Sequence, residues 1–144
     1  MLSLFSFLVG IAYCIALIMT FSSTPLIRFL FGAEYIRSGV ILSIHIWTSV
    51  FVFLGCAHNP YWLAENRQRF ILVLSLIAMV MNIVFALVFI PMYQEIGAAL
   101  ATLLSFFFVN VVSLSFFKWT RPLFLITIKA LIRPTIFPIR RSVA

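Results

Sequence analysis

The residues able to do chemistry form a sparse, neutral set. His45, Ser49, Cys56 and Asn59 follow one another at spacings of four, seven and three, which puts them on one helical face together with Val52. Asn82 belongs to a second series, Ser75, Ala78, Asn82 and Ala86, and Asn110 lies in a further uncharged stretch. An imidazole, a thiol and carboxamides of this kind can hydrogen-bond a hydroxyl-bearing ligand, or can tie one helix to the next. His58 is thirteen residues from His45 and points to another face. His58, Asn59 and Glu65 are near one another in the chain, but Pro60 between them is expected to kink or end the helix. The sequence contains no Ser/His/Asp set, phosphate-cradling glycine loop, CxxC pair or Cys/His cluster of zinc spacing. Neither an enzyme nor a metal or cofactor site is therefore expected. Cys14 and Cys56 fall in apolar runs, where a thiol behaves as a small hydrophobe.

The elements that must carry these residues follow from composition. The chain has 144 residues, 65% hydrophobic and 9% charged, with 17 Phe, whereas about a quarter of an ordinary soluble domain is charged. A water-soluble globule and a disordered chain are both excluded. The net charge of +7 is spread in thin clusters between apolar blocks, so a lipid bilayer, and no nucleic acid, is the expected partner. Four stretches carry no charge, residues 1–27, 38–64, 70–94 and 96–117. Each is longer than the ~20 residues that cross a hydrocarbon core as helix. Because lipid offers no hydrogen-bond partner to a peptide group, such spans must be helical.

The expected fold class is an all-α membrane protein, with four antiparallel transmembrane helices joined by short links. The spans are placed at about residues 3–27, 38–60, 70–91 and 96–117, followed by a basic tail over 118–144. In that frame His45, Asn82 and Asn110 lie roughly 12 to 18 Å inside their blocks, and Trp47 lies about 15 Å deep as a packing or cavity residue. Counting Lys and Arg by side gives two against eight, and the richer side is expected in the cytoplasm with both termini. Tyr35, Tyr61, Trp62, Tyr93 and Trp119 mark the water boundaries. In the tail, Pro122 opens a short amphipathic helix suited to the headgroup layer, with Lys118, Arg121, Lys129 and Arg133 against anionic lipid. The first block has no basic residue ahead of it, so a further segment is expected upstream.

Small residues recur at helical spacing as well. Ser3, Ser6, Gly10 and Cys14 line the first helix, and Gly97, Ala98, Ala101 and Ser105 line the fourth. Such flanks let helices approach closely without a hydrophobic driving force. Gly32 is expected to end the first helix in a left-handed conformation, and Pro91 to stop the third.

Two outer connections carry a family resemblance. The first reads LIRFLFGAEYIRSGVIL and the second IPMYQEIGAALATLLS. Leu30, Phe31, Gly32 and Tyr35, then Asn82 with Phe89, Ile90 and Pro91, then Gly97, Ala98, Ala99, Ala101 and Thr102 match stretches common in one family. Over roughly residues 21–117 the chain resembles the C-terminal lobe of the lipid-linked oligosaccharide (O-antigen) flippases, within the multidrug, oligosaccharidyl-lipid and polysaccharide exporter superfamily. The resemblance implies translocation of an undecaprenyl-diphosphate-linked oligosaccharide across a bacterial inner membrane by alternating access, in a protein of about a dozen helices. It also implies that this chain is a C-terminal fragment or split product, whose partners are the N-terminal helical bundle or polysaccharide assembly proteins. His45, Asn59, Asn82, Ser105 and Asn110 are then the candidate substrate path, and replacing His45 and Asn82 with Leu is expected to lower export. The rival readings are a multidrug exporter fragment, which acidic residues in the bundle would favour, and a non-transporting membrane subunit or inactive remnant.

Overall fold

The computed structural model describes residues 2–116 and 120–132. Among them every regular element is a helix. Helix α1 spans Leu2–Phe31, and a single 3₁₀ turn at Ala33–Tyr35 leads into α2, Ile36–His45. Helix α3 spans Thr48–Ala64 and α4 spans Gln68–Tyr93. Helix α5, Glu95–Phe107, passes through a π turn at Phe108–Val112 into the short α6, Ser113–Phe116. Helix α7, Arg121–Ile132, closes the described chain. Four helical stretches are long and apolar enough to cross a membrane: Leu4–Phe31, Ala33–Ala64, Gln68–Tyr93 and Glu95–Ser115.

The four-helix plan is the expected one, but neither Pro60 nor Pro91 ends its helix. Helix α1 runs through Pro25 to Phe31, beyond residue 27. Helix α3 runs through Pro60 to Ala64, and α4 through Pro91 to Tyr93. In an apolar setting, opening the backbone exposes groups that nothing else can satisfy, so continuing the helix past one missing N–H is the lower-energy course. Gly32 ends α1 as expected, at a φ of +96°.

The second span instead breaks where no proline stands. At Ile46 and Trp47 the ladder tightens: the Trp47 N–H donates to the Ile44 carbonyl at 3.2 Å and the Ser49 N–H to the Ile46 carbonyl at 3.0 Å. This local overwinding rotates α3 relative to α2. It splits the face expected to run unbroken from His45 to Asn59. Immediately beyond the break, the hydroxyls of Thr48 and Ser49 are buried and make no hydrogen bond within the chain.

Elsewhere the hydroxyls turn inward to their own helices. Thr20, Ser75, Thr102 and Ser105 each donate to the carbonyl four residues earlier, and Ser113 does the same to Val109. This is how a polar side chain is satisfied where water is absent.

The core sits at one end of the bundle. Phe5, Val9, Ala12 and Ala16 present one stripe of α1, and Leu54, Ala57, Trp62, Val111 and Leu114 meet it from α3, the π turn and α6. Helix α7 completes this core with Leu123 and Ala130. These two and the buried Thr127 recur at helical spacing, so α7 is docked on the bundle against α1. Its opposite stripe, Arg121, Leu125, Lys129 and Ile132, is exposed.

Helix α4 lies on the outside, packing chiefly along α5. None of its residues is fully buried, and Leu72 and Leu87 are 63% and 72% exposed. A continuous apolar face of this extent suits a hydrocarbon surround and not water. Helix α5 folds back against α4 after one residue, Gln94, whose φ is 52°. A Cβ at Gly97 would stand 2.2 Å from the Phe89 carbonyl oxygen. Only glycine permits so close a return.

Candidate functional site

The π turn places the first functional side chain. Val109, Val111 and Val112 crowd their preceding turn through β-branching, and the chain there adopts the wider π pattern over Phe108–Val112. Asn110 at its centre donates from Nδ2 to the Phe106 carbonyl at 3.0 Å. Its Oδ1 is directed at α3, where a Cβ on Gly55 would lie only 2.8 Å away. Gly55 thus makes room for the carboxamide oxygen.

Around this contact a groove of about 230 Å³ opens between α3, α4 and the π turn. Helix α3 lends it Val52, Gly55, Cys56, Asn59 and the edge of Trp62, and α4 lends Ile71, Leu74, Ser75 and Ala78. Phe106, Val109 and Asn110 form the far wall. Asn59 and Cys56 are exposed, and among the described residues the Asn59 side chain has no hydrogen-bond partner. None of the described residues lining the groove is Asp, Glu, Lys or Arg. A more open cleft of about 510 Å³ lies at the link between α3 and α4, lined by Asn66, Arg67, Gln68, Arg69 and Phe70.

His58 borders the groove from behind. It is buried, its Nε2 shares a 3.0 Å hydrogen bond with the Thr127 hydroxyl of α7, and its ring lies 5.3 Å from that of Phe5. One side chain therefore joins the groove wall, α1 and α7. Trp62 packs edge-on against both Tyr61 and Phe70, each at 5.0 Å, and separates the groove from the cleft at the link.

The five candidate path residues do not come together. Asn59 and Asn110 share the groove. His45 is exposed at the end of α2, on the far side of the helix break. Asn82 donates to the Thr102 hydroxyl at 3.3 Å, tying α4 to α5. Ser105 is buried and donates to the Ala101 carbonyl at 2.6 Å. Asn82 thus bridges α4 and α5, Ser105 is satisfied within its own helix, and neither lines the groove.

Of the expected packing residues, Gly10, Gly97 and Ala101 are buried, whereas Ala98 is exposed. Gly97, Ala101 and Ser105 recur every four residues and occupy one face; Ala98 is one position further round. Trp47, expected to pack, meets Tyr13 edge-on at 5.9 Å. Arg121 and Lys129 are exposed on α7. Lys118, Trp119 and Arg133 lie outside the described residues.

Sequence reasoning did place Val52, Cys56 and Asn59 on one face and Ser75 with Ala78 on another, and both stripes line the groove. It passed over Gly55, and it gave His58 no place beside the groove. A glycine amid an apolar helix was the available signal for the first; the partner of the second, Thr127, is 69 residues away. Among the described residues no three His, Cys, Asp or Glu side chains are grouped so as to hold a metal ion.

Fold and site together define an all-α bundle with four helices able to cross a membrane and, in its side, a largely apolar groove that carries the neutral polar groups of Asn59, Ser75 and Asn110. A comparison with characterised proteins adds a direction: over 108 residues the chain is 28% identical to the capsular polysaccharide biosynthesis protein CapF of Staphylococcus aureus. The aligned region covers 75% of this chain and 27% of that protein, so the chain spans about a quarter of its relative's length. This similarity fits a polysaccharide-related role. No family model matches the chain, and no solved structure matches it.

Proposed function

We propose that the chain acts in membrane transport for polysaccharide assembly, as part of a flippase lobe that moves lipid-linked oligosaccharide from the cytoplasmic to the outer leaflet. The observation that carries this reading is the similarity to a capsular polysaccharide biosynthesis protein along three quarters of the chain. Four apolar helices and the neutral side chains of Asn59, Ser75 and Asn110 in the groove support it, because a sugar crossing the bilayer needs hydroxyl partners without a fixed charge. The chain's part is binding and conduction rather than bond-making. The bilayer in question is a bacterial inner membrane, with both termini in the cytoplasm on the strength of the eight basic residues on that side. A lobe of this kind works with a further helical bundle, either within one polypeptide or as a separate assembly protein.

Deleting the gene in its bacterium tests the reading. Surface polysaccharide is expected to fall while lipid-linked precursor accumulates on the cytoplasmic side, and both return to normal when the gene is restored. Unchanged surface polysaccharide, or loss of the precursor itself, sinks the transport reading; the second result points to a role in synthesis.

A further inference from the structure

We infer that the groove between α3, α4 and the π turn is a binding site for one neutral sugar ring of a glycolipid, held by the carboxamides of Asn59 and Asn110. This assignment deepens the transport reading and rests on it for the class of ligand.

Four observations lead there. The wall is neutral: none of its described residues is Asp, Glu, Lys or Arg, so a phosphate seated in the groove finds no counter-charge there. The polar groups offer both senses of hydrogen bond. Asn110 presents a carboxamide oxygen across from Gly55 with its nitrogen already committed to Phe106. Asn59 offers a donor and an acceptor, and the Ser75 hydroxyl, which donates to the Ile71 carbonyl, keeps its oxygen as an acceptor. A ring bearing several hydroxyls satisfies such a set; an acyl chain does not.

Size and access are the remaining two. At about 230 Å³ the groove is smaller than the roughly 300 to 1,000 Å³ clefts that hold drug-sized ligands. It has room for one ring set among apolar walls, and Phe106 supplies an aromatic side to it. Its α4 wall belongs to the outermost helix of the bundle, whose apolar face is exposed. A ligand attached to a lipid therefore reaches the groove laterally, keeping its tail in the bilayer.

Cys56 supplies the probe, since it lines the groove and is exposed. In a Cys14→Ser chain it is the sole thiol of the sequence. The full chain is placed in phosphatidylcholine nanodiscs, and the rate of Cys56 alkylation by N-ethylmaleimide is measured with added monoglucosyl diacylglycerol, diacylglycerol or phosphatidylglycerol. Near saturation the glucolipid is expected to slow alkylation about fivefold or more, while the other two lipids leave the rate unchanged. Asn110→Ala and Asn59→Ala should each abolish the protection, and the exposure of Asn59 makes its replacement the milder test of folding.

Equal protection by phosphatidylglycerol overturns the assignment in favour of an anionic headgroup, and equal protection by diacylglycerol in favour of an acyl tail. An unreactive Cys56, or protection that survives both substitutions, overturns it as well. Loss of export on gene deletion together with no glucolipid protection would defeat this assignment alone and leave the transport reading standing.

Discussion

Asn82 shows how one side chain changes its meaning between sequence and structure. By depth it is a candidate for a substrate path, and in the structure its amide donates to Thr102 at 3.3 Å, joining α4 to α5. Interhelical hydrogen bonds in membrane proteins average only about 0.6 kcal/mol in double-mutant cycles, because the unfolded chain in lipid finds other partners. A cycle of Asn82→Ala and Thr102→Ala, read by reversible unfolding in mixed micelles, is expected to give a coupling of about that size, ~0.5 to 1.5 kcal/mol. Zero coupling would mean that the contact holds nothing. Asn59 and Asn110 differ from Asn82 in that a groove lies open before them, a distinction of surroundings and not of residue type.

At the scale of elements, the tight return from α4 to α5 carries opposed strains at two positions. Gln94 holds a φ of 52° and a ψ of −126°, a conformation that costs a side-chain-bearing residue of order 1 to 3 kcal/mol. Gly97 meets the Phe89 carbonyl so closely that an added methyl has no room. Gln94→Gly is therefore expected to raise stability by about 1 kcal/mol, and Gly97→Ala to lower it by about 2 kcal/mol or more, both measured as shifts in thermal unfolding in detergent. A loss of stability in Gln94→Gly, or none in Gly97→Ala, would show that the turn is not built as described. Helix α7 is the element whose place the sequence stated least well. A helix lying in the headgroup layer was expected from its length and composition; the structure adds that one of its stripes is taken up by the bundle through Leu123, Thr127 and Ala130. What it leaves outward is the Arg121, Leu125, Lys129 and Ile132 stripe.

Across the whole molecule, the four spans and the distribution of Arg and Lys make one prediction of topology. Single cysteines introduced at residue 34 or 94 in a chain lacking Cys14 and Cys56 should react with a membrane-impermeant maleimide added outside intact cells. Cysteines at residue 66 or in the tail should react only after the cells are opened. The reverse pattern would invert the bundle and remove the cytoplasmic placement of the basic tail. The core concentrated among α1, α3, α6 and α7 lies at the same end as the link carrying Arg67 and Arg69, so the better-packed end is the one expected to face the cytoplasm.

The four-helix plan and its apolar surroundings were legible from composition and block length, because the cost of an unpaired peptide group in oil leaves a chain this apolar no other regular structure. Gly32 as a helix end and the packing of Gly97 and Ala101 were legible too, since they depend on backbone geometry and residue size alone. Which polar groups share a groove depended on facts without a local signature. The overwound turn at Ile46 and Trp47 removed His45 from the face it seemed to share with Asn59, and the π turn rotated Asn110 toward Gly55. His58 and Thr127 meet across 69 residues. Hydrophobicity is summed along a chain and is therefore written in it, whereas the angular phase of one helix against another is settled only when the helices pack.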